Sequence, residues 1–134
     1  MAEDRADKLK RLVRVQRQIE RVAEIELAVI LRERAIVDDT RTALVDALGS
    51  LSPLHQSMAT HYTKRFSGLE TRDRRLTGMQ AMQEKRVLTE KTKADRLKDQ
   101  ARDAATAEER QAEDDGLLDL LDMVMAADRG SSPA

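Results

Sequence analysis

The amino-acid sequence predicts an all-α fold: a long antiparallel two-helix coiled-coil hairpin with a short C-terminal amphipathic helix. Three observations predict it. Residues 3–48 contain no Gly or Pro. Within them Val15, Val22, Val29, Ile36 and Ala43 recur every seven residues, the repeat of a helix that packs on another helix. The segment Gly49-Ser50-Leu51-Ser52-Pro53 then reads as a helix stop, a tight turn and a helix start. The composition agrees. The chain has 134 residues, 37% of them charged, with two Pro and five Gly, as long helices require and many-turned β folds do not.

The expectation is one domain, 1–134, with helix 1 over about 3–48. Leu12 and Ile19 flank the seven-residue row early, and Ile30, Val37 and Leu44 flank it on the other side later. Such drift follows because a straight helix slips about 20° per heptad. Glu26 and Glu33 interrupt the early flank. A stripe of this kind cannot be buried by one helix alone, so it demands a partner.

The turn spans 49–52. Gly49 suits a left-handed cap after Leu48. Ser52 suits the N-cap and Pro53 the first helical position. Helix 2 follows over about 53–115, with Leu54, Met58, Tyr62, Phe66, Leu69, Leu76 and Met79 as its stripe and Val87, Ala94, Leu97 and Ala101 continuing it. A fold about the turn pairs residues whose numbers total roughly 102, so helix 1 runs out near residue 100. Gly68 offers an alternative second turn and a three-helix bundle, but the helical spacing of Phe66, Leu69, Leu76 and Met79 continues across it. Gly116 marks a second break, followed by a short apolar helix over about 117–127 and a disordered tail over 128–134.

Composition excludes several kinds of chemistry. There is no Cys and no Trp, and Tyr62 and Phe66 are the two aromatic residues. No thiolate metal site, cysteine nucleophile or disulfide framework is available. His55 and His61 lie six residues apart, not the four that place two ligands on one helix face. No glycine-rich phosphate loop appears, and a thin helical protein has no concave site in which to perturb carboxylates. The expectation is a non-enzyme with no cofactor and no metal. The longest apolar run, Leu27 to Leu31, is far below the ~18 residues of a membrane span. The opening Met1-Ala2-Glu3-Asp4 is no secretory leader. A cytoplasmic protein that does not insert into membranes is expected.

The near-neutral total, 24 basic against 25 acidic residues, hides blocks. Residues 5–21 carry seven bases and two acids, 64–98 carry eleven and five, and 99–122 carry two and nine. Lys10, Arg14, Arg17 and Arg21 fall within about 60° of one helix face. They read either as a docking stripe for an acidic partner or as a solvated helix back. Nucleic acid is disfavoured as the partner, because the chain is acidic overall and has few aromatics for stacking. Tyr62 and Phe66, one turn apart, read as seam residues or as an anchor for a partner. The segment Leu117-Leu118-Asp119-Leu120-Leu121-Asp122-Met123-Val124-Met125 either folds back on the basic end or docks in another protein's groove.

The run Lys8-Leu9-Lys10-Arg11-Leu12-Val13-Arg14-Val15-Gln16-Arg17-Gln18 opens an uninterrupted helix. With the total length and a second helix from Pro53 past Arg96, it resembles the flagellar type III export stalk, the FliJ family. It is also similar to the injectisome counterpart and to the coiled coil of the rotary ATP synthase central stalk. The resemblance covers about residues 3–115. It implies a monomeric stalk, at the membrane-bound export apparatus, that couples a hexameric export ATPase to the cytoplasmic domain of the export gate and helps handle export chaperones. It sets Arg11, Arg14, Arg17 and Arg21 near the ATPase, and Tyr62, Phe66 and Leu69 toward the gate. The competing expectations are a homodimeric coiled-coil adaptor, a nucleic-acid-binding helical protein, and a regulatory subunit that docks through Leu117, Leu120 and Leu121.

Overall fold

The computed structural model describes residues 4–130, and among these there is no strand. Three helices follow in order: α1, Arg5–Leu48; α2, Pro53–Ser57; and α3, Ala59–Gly130. α1 has 44 residues and α3 has 72. The chain divides into two compact units. One is Arg17–Thr92. The other is made from the two ends, Met1–Gln16 with Lys93–Ala134.

α1 stops at the expected place by a different device. No described glycine has a positive φ, so Gly49 does not form a left-handed cap. Its N–H continues the helix by bonding the Val45 carbonyl at 3.1 Å, and the Ser50 N–H tightens the last turn on Ala47 at 3.2 Å. Ser52 is the N-cap of α2, extended at φ −60° and ψ 130°, with Pro at the helix start, although its side chain makes no capping bond. Met58, at φ −95° and ψ 2°, then separates α2 from α3. The second long helix therefore begins at Ala59, not Pro53. This extra turn lengthens the connection and shifts the pairing.

In the Arg17–Thr92 unit, contacts between α1 and α3 run in opposite sense. Glu26 meets Arg86 at 2.8 Å, Arg34 meets Asp73 at 3.3 Å, and Arg41 meets Glu70 at 3.2 Å. The Gln83 amide donates to the Ala23 carbonyl at 3.0 Å. These partners lie four to ten residues farther along α3 than a fold centred in residues 49–52 predicts.

The face of α1 that is buried also differs from the expectation. Ala23, Ile30, Val37 and Leu44 are buried, and Glu20, Leu27, Arg34 and Arg41 complete a strict three-four spacing of buried and half-buried positions. Ile30, Val37 and Leu76 form the core, with Leu69 packed against it. The row read as the seam is outside: Val22 is 50% exposed, Val29 49% and Ile36 55%, against 1% for Val37. On α3 the matching row is Tyr62, Phe66, Leu69, Asp73, Leu76, Gln80, Gln83, Val87 and Glu90. Leu54, Met58 and Met79, expected in the stripe, are exposed.

Charges accompany both rows. Glu26, beside the Val22–Val29–Ile36 face, meets Arg86 of α3. The row actually buried brings Arg34 and Arg41 to the contact, and α3 supplies Glu70 and Asp73 to meet them. A partly desolvated charge is tolerated when it is paired.

In the unit of the two ends, Ala6, Leu9, Ala94 and Ala101 are buried, and Val13, Leu97 and Ala104 are half-buried. The Ala6 N–H, one of the donors a helix start leaves without an internal partner, donates to the Glu108 carboxylate at 3.0 Å. An anion there also meets the positive end of the helix dipole. α1 thus reaches residue 108 of α3, not residue 100.

α3 runs unbroken through Gly68, Gly78 and Gly116. The second turn at Gly68 is not formed. The break at Gly116 is absent too, so residues 117–127 are the end of α3, not a separate helix. A helical glycine costs about 1 kcal/mol relative to Ala, and all three are tolerated within this 72-residue helix. Residues 128–130, expected in a disordered tail, are helical; 131–134 lie outside the described residues.

Two stability outcomes follow. Leu76→Ala loses about 2–3 kcal/mol by urea unfolding, while Ile36→Ala changes stability by less than about 0.5 kcal/mol. Equal losses would contradict the assigned seam. Nothing lies within 4 Å of a Cβ built on Gly78, so Gly78→Ala stabilises by about 0.5–1 kcal/mol. Destabilisation of Gly78→Ala in the same assay would mean that this position is crowded or non-helical.

Candidate protein-interaction surface

The residues picked out by sequence fall into three settings. Tyr62, Phe66 and Leu69 all lie on the inner row of α3. The Tyr62 hydroxyl and His55 Nδ1 are hydrogen-bonded at 2.9 Å. The Arg41 guanidinium lies over the Phe66 ring, 5.6 Å from its centroid, a cation–π arrangement. Leu69 supports the core. Each is half-buried within its own unit, which is the seam role.

The basic residues divide between the units. In the unit of the two ends, Lys10, Arg11 and Arg14 are exposed on α1. In the Arg17–Thr92 unit, Arg21 is exposed, whereas Arg17 is half-buried and holds Glu20 at 2.8 Å. Glu20 is buried. Arg17 therefore neutralises a seam carboxylate. Lys10, Arg11, Arg14 and Arg21 present charge at the surface.

Leu117, Leu120 and Leu121 are exposed, as is every residue from Glu109 to Gly130. No α1 residue covers this end of α3 among the described residues. It carries Leu117, Leu118, Leu121, Val124 and Met125 at spacings that put them on one side.

The surface that sequence reading missed is the outer face of α1. In the Arg17–Thr92 unit Val22, Val29 and Ile36 lie on it, all exposed, with Ile25 alongside. Exposed apolar side chains scattered singly are ordinary, whereas here they form a row along one face. Its periodicity is plain in the sequence, where it predicts the seam. Charge does not separate the rows: the arginines at 34 and 41 have acidic partners at 70 and 73 on the returning helix, and Glu26 beside the outer row has Arg86 there.

Near the turn, Asp38, Arg41, Thr42, Val45 and Phe66 line a shallow open cleft of about 520 Å³. Between the chain ends, Lys10, Val13, Lys98, Ala101, Arg102 and Ala105 line a groove of about 270 Å³. Among the described residues no group of His, Cys, Asp and Glu is placed to hold a metal ion, and no helix is long and apolar enough to cross a membrane.

The seam charges make a measurable link. Asp73 serves both Arg34, at 3.3 Å, and Arg41, at 3.7 Å, and its side chain is 20% exposed. Asp73→Asn therefore costs about 1 kcal/mol at low salt, a loss that shrinks as ionic strength rises toward about 1 M. A salt-independent loss would show that shape, not charge, holds the position.

Comparison of the chain with protein-family models, with curated proteins and with solved structures gave no match.

Proposed function

We propose that this chain is a non-catalytic adaptor: an antiparallel two-helix coiled-coil hairpin that binds other proteins through the outer apolar face of α1. The observation that carries the reading is the row Val22, Val29 and Ile36, each about half exposed, on a helix whose adjacent face is already buried against α3. A strict three-four spacing on both helices supports the coiled-coil geometry. A seam with Arg34, Arg41, Asp73, Gln80 and Gln83 in it favours one register over alternatives, since shifted registers would strand those groups without partners.

A second reading is the stalk of a type III export apparatus, contacting a hexameric export ATPase and the export-gate cytoplasmic domain. Exposed Lys10 and Arg14 on α1 favour it, together with the resemblance of the opening basic helix to that family. Charge attraction at such a surface speeds docking while each exposed ion pair adds only about 0–1 kcal/mol, which suits a contact that must turn or release. A permanently exposed aliphatic row suits it less, because apolar burial makes for lasting contacts.

The two readings separate in one experiment. Tagged wild type, Val22→Asp/Ile36→Asp and Arg14→Glu are used to capture partners from the native cells, with circular dichroism confirming equal helicity. The adaptor reading expects the main partner to be lost with the apolar double variant and retained with Arg14→Glu. Recovery of an export ATPase that depends on Arg14 and not on the apolar row would replace it with the stalk.

A further inference from the structure

We propose that the outward face of α3 in the Arg17–Thr92 unit binds the phosphate backbone of a nucleic-acid duplex, without reading its sequence. This is a second surface, independent of the outer apolar row of α1.

The face is set by the same seven-residue repeat that sets the seam. Tyr62, Leu69, Leu76 and Gln83 are buried or half-buried on one side of α3. Lys64, Thr71, Gly78 and Lys85 recur with the same period, two residues farther on. With Phe66, Asp73, Gln80 and Val87 completing the inner stripe, this second row lies directly opposite it at 100° per residue. All four of its residues are exposed. Arg74 and Arg75 flank the row, each about 50° to one side, and are exposed too.

The charge on this face has one sign. Between residues 64 and 85 no Asp or Glu lies within about 60° of the row. Glu70 and Asp73 are turned to α1, where they meet Arg41 at 3.2 Å and Arg34 at 3.3 Å. Glu84 stands to the side and accepts a bond from Gln80 at 2.9 Å. Arg74 reaches Glu70 at 4.0 Å. Lys64, Arg75 and Lys85 have no carboxylate partner among the described residues. A solvated helix back interleaves both signs, whereas a face of one sign makes a field that attracts polyanions. The acids that make the chain negative overall are concentrated in residues 99–122, in the other unit.

The chemistry of the face favours nucleic acid over an acidic protein. A protein interface has an apolar centre inside a polar rim. Here Met82 is the one large apolar side chain within about 60° of the row. Phosphates are held by Arg and Lys together with small hydroxyl side chains, and Thr71 stands among the bases. Gly78 lets a phosphate strand come close, since nothing lies within 4 Å of where its Cβ would stand. The row spans about 30 Å at 1.5 Å per residue, nearly one turn of a duplex. Over that length a duplex presents a phosphate charge every ~1.7 Å. Tyr62 and Phe66 are half-buried in the seam, so the face offers no aromatic ring for stacking on unpaired bases. A duplex, not a single strand, is therefore the ligand.

The test is fluorescence anisotropy of a labelled DNA duplex of about 24 base pairs, titrated with the full chain to about 100 μM at about 20–200 mM salt. Binding is expected at the lowest salt, and equally for a shuffled sequence. Four phosphate contacts make log affinity fall against log salt with a slope of about −3.6. Lys64→Gln/Arg75→Gln/Lys85→Gln weakens binding at least tenfold and flattens the slope to about −1, with helicity unchanged because these side chains are exposed. Lys10→Gln/Arg14→Gln, in the unit of the two ends, leaves binding within about twofold. No binding at about 20 mM salt overturns the proposal, and so does binding that survives the triple variant. Tighter binding to poly-glutamate or to phosphatidylserine vesicles than to the duplex, at equal anionic charge, overturns it in favour of an acidic protein or a membrane surface. Partner capture through the outer α1 face has its own readout, so either reading can fail while the other stands.

Discussion

α1 offers two apolar rows, and α3 can cover one of them. Between Val22 and Leu44, one row runs through Ala23, Ile30, Val37 and Leu44 and the other through Val22, Val29 and Ile36. At 100° per residue the two faces are about 100° apart, too far for a single neighbouring helix to bury both. Choosing the first row creates the core of the Arg17–Thr92 unit and leaves the second as that unit's main apolar surface. The returning helix meets the charges of the buried row, Arg34 and Arg41 with Asp73 and Glu70, and also Glu26 beside the second row, with Arg86.

The seam that results is thin and mixed. Ile30, Val37 and Leu76 are its dry centre, and polar side chains alternate with them. Small residues let the helices approach: Ala23 is fully buried and its carbonyl accepts a bond from Gln83 across the contact. The arginine network and the glutamine bonds contribute modest stability, since exposed and half-exposed ion pairs are worth about 0–1 kcal/mol each. Their larger effect is on register. A slide of one turn would keep some aliphatic contacts but leave Arg34, Arg41 and Gln83 without partners.

The end of α3 follows from the same economy of contact. The Ala6 N–H at the start of α1 is satisfied by Glu108, and among the described residues no helix lies beside α3 from residue 109 onward. An acidic segment with a leucine-rich face stays helical there because its residues favour helix and because nothing at Gly116 demands a left-handed conformation. A fold-back would need one glycine or its neighbours to leave the helical region, and no described glycine does.

The sequence by itself determined the helical class, the position of the turn after Leu48, the Ser52–Pro53 helix start and the continuity of the helix across Gly68. These rest on local rules: propensity, the absence of Gly and Pro, and capping preferences act within a few residues. The seven-residue repeat was equally legible, and so were the basic and acidic blocks. What it could not decide is which of two equivalent repeats is inside, because both bring charges that α3 can pair. The register likewise depended on a helical turn at Pro53–Ser57 that displaces the start of α3 to Ala59. The fate of residues 117–127 depended on whether anything packs near Gly116 strongly enough to bend it. Only the tertiary structure decided these, since each compares the free energies of alternative long-range pairings, while the local signals are the same in all of them.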